Sequence, residues 1–401
     1  MSRTPALRSL TFLLAAALLA LPGFAEPAKV VPRHVLDQII DDDPFPLPRT
    51  KTSYELSLPL PEAIRGAAPA GTVTTPAEYD HNAGLLIRWG SFNDVLTSMA
   101  VGISTGDDDG IVYIAVSGSS QQASATAVLT GAGADMSQIE FLITPTDSVW
   151  MRDYGPRFVS EDGVRTMIDH TYNRPRPNDN NFPDFLAAQW SEPEYDIPLS
   201  HGGGNFHLFA DGEALMTDLI LDENPGLTEA QVEAYYQQYQ GLDLTIVDAL
   251  PQWFDATQHI DMWMFPVRTR EVIVNQYTTE PAKTIADDTA ALLQSRGYTV
   301  RRVDGWNAAG THYTYTNAVV FNDIVFIPAF DGYPTENAAA VAAFQAAFPG
   351  KQIIPVDCTD IIQFAGAIHC IVMHVPEVGA ITIFLDNFET GNLSAWSQVL
   401  Q

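Results

Sequence analysis

Apolar and polar positions along this chain recur as one pattern: a helix, a turn, an apolar strand and a polar loop, at a period of about 55 residues. The first copy is SSQQASATAVLTGAGADMSQIEFLITP and the second, weaker, is PDFLAAQWSEPEYDIPLS. The third is LTEAQVEAYYQQYQGLDLTIVDAL, the fourth KTIADDTAALLQSRGYTVRRV and the fifth TENAAAVAAFQAAFPGKQIIPVD. Strands are predicted to start near Ile139, Tyr195, Asp243, Tyr298 and Gln352. In the last three copies a glycine (Gly241, Gly297, Gly350) falls between helix and strand, where a left-handed cap ends a helix. A buried strand over Gly84–Trp89 opens the compact part of the chain. An open solenoid needs polar terminal caps, and the end copies are no more polar than the middle ones. The preferred reading is therefore an α/β fold closed into a five-bladed propeller with pseudo-fivefold symmetry; an ordinary α/β sandwich with coincidental spacing is the alternative.

The segments that follow the five strands carry the unusual residues. They are TPTDSVWMRDYGPRFV, SHGGGNFHLF, QHIDMWMFPV, THYTYTNAVVF and FAGAIHCIVM. Each brings one or two capable groups: Asp153, Asn205, His259 with Asp261, Asn317, and Cys370. Loops gathered about one axis would collect them into one pocket. Read as a strand, His259-Ile260-Asp261 would aim histidine and carboxylate to the same side, or supply half of a metal site lacking a well-spaced third ligand. Read the same way, His369 and Cys370 face opposite sides, which leaves His259 as the better partner for a thiolate. Asp153 beside Arg152 is equally a structural salt bridge within a turn, and Cys370 equally an inert buried thiol.

Composition changes the picture in three places. Arg3 and Arg8, an apolar run from Leu10 to Leu21, and Gly23 and Ala25 make residues 1–25 an export signal, so a secreted or periplasmic protein is expected. Residues 26–75, rich in Pro and Thr, read as a pro-segment or extended arm, followed by a catalytic domain over 76–388 and a short tail over 389–401. The formal charge of −29 repels nucleic acid and anionic lipid and favours cationic ligands, though it equally suits plain solubility or a salty habitat. No segment after the signal reads as a membrane span. The only two cysteines, Cys358 and Cys370, admit a short-loop disulfide in an exported protein.

The motifs TDSVWMRDYGP, TYNRPRPNDN, GGGNFHL, QHIDMWMF, YTNAVVFNDIVFIP and GAIHC, in this order, resemble those of the bacterial Porphyromonas-type peptidylarginine deiminases and their agmatine deiminase relatives. The resemblance covers roughly residues 75–385 and implies the pentein fold, five ββαβ modules around an axis. It implies Cys370 as nucleophile, His259 as general acid/base, Asp153 and Asp261 as the carboxylates that grip a guanidinium, Asn317 as an active-site asparagine, and Trp150 as an aromatic wall of the substrate slot. Two carboxylates suit a planar, permanently charged guanidinium through paired charge-assisted hydrogen bonds. The implied reaction converts arginine to citrulline through a covalent thioether and releases ammonia.

Arg174 and Arg176 sit in the segment that resembles the carboxylate-recognising part of these enzymes, which implies peptides ending in arginine as substrates. Surface pairing with Asp179 or Asp184 is the plain alternative for the two arginines. Agmatine or free arginine is the runner-up substrate, and a catalytically inactive guanidinium-binding protein is the reading from another class. A catalytic Cys370 is expected to be a low-pKa thiol open to alkylation. The family's vertebrate members need calcium, but no EF-hand pattern occurs here and no cofactor is expected. Acidic clusters such as Asp107–Asp109 offer a place for a structural calcium or sodium ion.

Overall fold

The computed structural model describes residues 27–64 and 66–377. The expected export signal and C-terminal tail lie outside the described residues. Strands begin at Ile139, Glu194, Asp243, Thr299 and Gln352, each within one residue of its predicted start. Each is the last strand of a parallel pair bridged by a helix. Helix Phe182–Trp190 joins Val164–Tyr172 to Glu194–His201, and Glu229–Gln240 joins Glu213–Thr217 to Asp243–Val247. Ala282–Ser295 and Pro334–Ala347 do the same for the next two pairs. Gly241, Gly297 and Gly350 all have positive φ, as a left-handed helix exit requires.

The closed five-bladed pentein propeller is corrected by the sheet topology. The described residues form six separate open sheets, of four, three, three, two, three and four strands, with no closed ring of equivalent blades. A repeating helix–strand spacing fixes a local crossover; it does not fix how many strands each sheet recruits. Two additions break the equivalence. A two-stranded ribbon, Trp306–Ala308 with Thr311–Tyr313, is inserted between Asp304 and Val319. Another sheet joins the two ends of the region from Asn82 to Pro376, pairing Val372–Pro376 with Asn82–Arg88 and continuing through Ile111–Val116 to Ile139–Ile143.

The core is one large apolar cluster and two smaller ones. Residues 27–64 run over the surface of this body. Asp41 accepts from the backbone N–H groups of Phe92 and Asn93, so the arm caps the helix Asn93–Gly106. Farther on, the N–H of Ile64 donates to Thr171. Among the described residues no helix is long and apolar enough to cross a membrane.

Candidate active site

Of the residues singled out after the strands, Asp153, Asp261 and Cys370 lie on short helical turns rather than at strand starts, while Asn205 and Asn317 lie in loop segments. Asp153 is on the turn Met151–Tyr154, His259 caps the 3-10 turn Ile260–Met262, and Cys370 is the middle residue of the 3-10 turn His369–Ile371. Strand alternation therefore does not apply to either expected pair. His259 and Asp261 both reach the centre because the turn rotates them together. His369 and Cys370 converge too: His369 Nδ1 lies 2.9 Å from Asp261 Oδ2, and Cys370 Sγ lies 3.8 Å from the same oxygen.

Asp153, His259, Asp261, Asn317 and Cys370 are all fully buried. Asn317 ties the pieces together. Its Oδ1 accepts from the N–H groups of Ala367 and His369 and lies 3.2 Å from Cys370 Sγ, while its Nδ2 donates to the Asp261 carbonyl. Asn205 accepts from the Ile260 N–H and from Thr217, which anchors the turn carrying Asp261. The glycine run supplies the floor. A Cβ at Gly204 would overlap the guanidinium in the slot and stand 2.7 Å from Asp261 Oδ2; one at Gly202 would stand 2.8 Å from the His259 ring. Gly366 closes the opposite side, where a Cβ would meet Trp150 at 2.5 Å and Cys370 Sγ at 3.1 Å.

The slot holds a guanidinium from the chain itself. Arg49, wholly buried, donates from Nε to Asp153 Oδ2 and from Nη2 to Asp153 Oδ1, each at 2.8 Å. Its Nη2 is 3.0 Å from Asp261 Oδ2 and 2.7 Å from His259 Nδ1. Its Nη1 is 3.1 Å from Asp261 Oδ1 and 2.6 Å from Cys370 Sγ. Four of the five groups expected from the sequence thus touch one planar cation. The electrostatics follow. Burial works to raise Asp153 and Asp261, but the Arg49 charge overcomes it and holds both below the usual carboxylate range. Burial pushes the Cys370 thiol well up; Arg49 pulls it down, while Asp261 and Asp153 push it up again. A low-pKa Cys370 is thus not what this geometry produces. Cys358 and Cys370 are both free and buried, and the short-loop disulfide is not formed.

Arg174 and Arg176 do not pair with Asp179 or Asp184; both hold the backbone around Arg49. Arg174 Nε donates to the Arg49 carbonyl at 3.1 Å. Arg176 Nη2 donates to the carbonyls of Pro48 and Thr50, and its guanidinium pairs with Glu55 at 2.6 Å. Trp150 is buried behind Gly366 and donates its indole N–H to the Leu47 carbonyl.

Residues 75–376 match the family described as Porphyromonas-type peptidyl-arginine deiminase. The chain belongs to this family. Curated relatives of this family member include proteins named putative agmatine deiminase. One from Legionella pneumophila is 27% identical over 60% of this chain and 75% of its own. Another, from Streptomyces avermitilis, is 26% identical over 58% and 75%. Solved structures share the fold. An agmatine deiminase of Enterococcus faecalis superposes with a TM-score of 0.67 at 18% identity, covering 76% of this chain and 96% of that one. A protein described as the putative arginine deiminase from Porphyromonas gingivalis gives 0.65 at 16%, covering 76% and 99%. The peptidyl-arginine deiminase family and these relatives make the chain a guanidino-group-modifying hydrolase.

Two participants, Arg49 and Glu78, escaped the sequence reading, and His369 was read only as facing away from Cys370. Arg49 stands in a Pro-rich arm with no motif around it. Glu78, within PAEYDHN, carries Arg152 on one oxygen and His369 on the other, at 2.5 and 2.9 Å. His369 bridges Glu78 to Asp261. Burial opposes ionisation of Glu78, but Arg152 and His369 outweigh it and hold the carboxylate well below its ordinary range. Glu78, His207 and His369 are close enough to offer three ligand atoms to a metal. The Arg152 guanidinium on Glu78 already supplies the positive charge there, which works against a cation. Asp107 Oδ1 is taken up by the N–H groups of Asp109 and Gly110, and Oδ2 by Asn322.

Proposed function

We propose that this protein deiminates a guanidinium group with Cys370 as nucleophile and His259 as the group that moves protons. The observation that carries this reading is the seating of the Arg49 guanidinium: both carboxylates on its nitrogens, Cys370 Sγ at 2.6 Å and His259 Nδ1 at 2.7 Å. Charge held on the guanidinium carbon makes it electrophilic. Sulfur bonds to that carbon, a terminal nitrogen leaves as ammonia with a proton delivered by His259, and water then displaces the sulfur to leave a ureido group.

The relatives' names support agmatine over peptide arginine as the substrate. A specific observation supports the second reading, an arginine within a peptide. Arg174 and Arg176 grip main-chain carbonyls on either side of the seated residue, groups that agmatine lacks. The export-signal pattern of residues 1–25 supports action outside the cytoplasm. The test is release of ammonia and ureido product from agmatine, from a peptide ending in arginine and from the same peptide with arginine internal, with Cys370→Ala as the blank. Turnover of agmatine alone overturns the peptide reading. Turnover of none of them by folded, reduced protein overturns the deiminase reading itself.

A further inference from the structure

The arm threads the mouth of the slot in the manner of a substrate. Around Arg49, the backbone is held on both flanks: its N–H donates to the Phe364 carbonyl at 3.0 Å and its carbonyl accepts from Arg174. Leu47, Pro48 and Thr50 give their carbonyls to Trp150 and Arg176. The side chain is fully enclosed and touches every group with which the proposed reaction would be done. An arginine seated this way excludes any other guanidinium.

Elsewhere the arm is weakly held by apolar packing. Of ten large hydrophobic side chains exposed among the described residues, seven lie on it: Val30, Ile40, Phe45, Tyr54, Leu56, Leu60 and Ile64. Its attachment near the slot is polar, and Arg49 is the centre of that attachment. The arm's grip thus depends on a charge that the proposed chemistry removes.

We propose that Arg49 is the enzyme's own first substrate: Cys370 converts it to citrulline in cis, and the neutral side chain then gives up the slot. This rests on the deiminase reading above. The Cys370 sulfur bonds to Arg49 Cζ and the thiol proton passes by way of His259 to Nη2, the nitrogen 2.7 Å from that ring. The Cζ–Nη2 bond breaks and ammonia leaves. Water adds its oxygen to Cζ, the C–S bond breaks, and the sulfur and the ammonia take up the remaining protons. The balance is guanidinium plus water to ureido group plus ammonium. Asp153 and Asp261, both depressed by the Arg49 charge, are then two buried carboxylates without a cation. That arrangement disfavours the docked arm and favours exchange for a fresh cationic substrate.

The experiment follows residue 49 by mass spectrometry in the full chain, alongside turnover of agmatine and of an internal-arginine peptide. Position 49 is expected to become citrulline at a rate independent of protein concentration. It should stay arginine in Cys370→Ala, including when that variant is mixed with active enzyme. External turnover should show a lag and rise in step with the converted fraction. Arginine persisting at 49 in a preparation that turns over either external substrate overturns the inference and spares the deiminase reading. Citrulline forming in Cys370→Ala, or at a rate that climbs with protein concentration, overturns it as well. Absence of both citrulline and external turnover overturns the two readings together.

Discussion

The surroundings of Cys358 and Cys370 separate burial from chemistry. Both thiols are wholly buried, and burial pushes both up. Cys358 follows the strand Gln352–Asp357 and lies within the large apolar cluster; its backbone N–H donates to the Ala329 carbonyl at 2.8 Å. Among the described residues the charge that acts on it is Asp94, which pushes it further up. Cys370 has the same enclosure plus a guanidinium 2.6 Å from its sulfur. The difference teaches that the cation, not the burial, sets the two thiols apart. The cation that pulls the thiol down is the bound guanidinium, while the two aspartates that bind it push the thiol up. In the proposed reaction the nucleophile would then be activated by what it attacks.

The largest effect should come from removing the sulfurs one at a time. Cys370→Ala is expected to lower turnover of agmatine or peptide arginine by more than about 10³-fold, because the covalent route is gone. Cys358→Ala should leave turnover within about 2-fold and cost about 1–2 kcal/mol of stability for the lost core volume. Steady-state rates and denaturant midpoints read the two outcomes. A loss of activity in Cys358→Ala comparable to that in Cys370→Ala would break the contrast.

His259→Ala comes next. Among the described residues its Nδ1 is the only imidazole nitrogen on the Arg49 guanidinium, so a loss of about 10²–10⁴-fold in turnover is expected with the fold intact. Steady-state rates on the folded variant measure it, and turnover within about 10-fold of the wild type would break the proposed role.

Alkylation sharpens the contrast at the level of reactivity. Iodoacetamide should modify neither cysteine quickly at neutral pH while Arg49 fills the slot. Once the slot is emptied, a small guanidinium compound too short to cover the sulfur should speed modification of Cys370 by about 10-fold, as its charge favours the thiolate. Cys358 should not respond. Peptide mapping of both residues measures this, and a Cys370 rate insensitive to guanidinium would show that its activation does not come from the ligand.

Much of this site was legible because its residue types are set by chemistry. Two carboxylates, one histidine, one cysteine and an asparagine stand in four of the five loops that follow the helix–strand units, and Asp153, His259, Asp261, Asn317 and Cys370 do meet. Strand starts were legible to a residue because apolar runs and glycine exits are local signals. What failed was non-local. A period along the chain does not encode which strands pair, so the six open sheets, and the ribbon at Trp306–Tyr313, were out of reach. The local geometry of QHID and IHC was misread because a 3-10 turn of three residues has no periodicity to detect. Arg49 could not be found at all: an arginine among prolines looks like linker until the fold brings it 104 positions along the chain to Asp153.

The same contrast between burial with and without a cation recurs among the carboxylates, and here the expected effect is smallest. Asp153 and Asp261 are buried against Arg49 and depressed, so their contribution to stability is present above an ordinary aspartate pKa and is lost only as pH falls through the depressed values. Asp179 is equally buried but holds hydrogen-bond donors rather than an ion partner: the N–H groups of Asp147 and Ser148 and the Ser148 hydroxyl. Burial pushes it up to about 7, from an ordinary value of 3.8. Its folded form therefore binds a proton that the unfolded chain has released between those two values. By linkage, this group makes stability fall as pH rises through that window and level off above it. Asp179→Asn removes the titration and keeps one acceptor for the backbone donors, so the variant's stability should vary less with pH across the window than the wild type's. Thermal melts at matched pH values measure the difference. Parallel curves for variant and wild type would mean that Asp179 is ionised in the folded protein, and that its hydrogen bonds do for it what Arg49 does for Asp153.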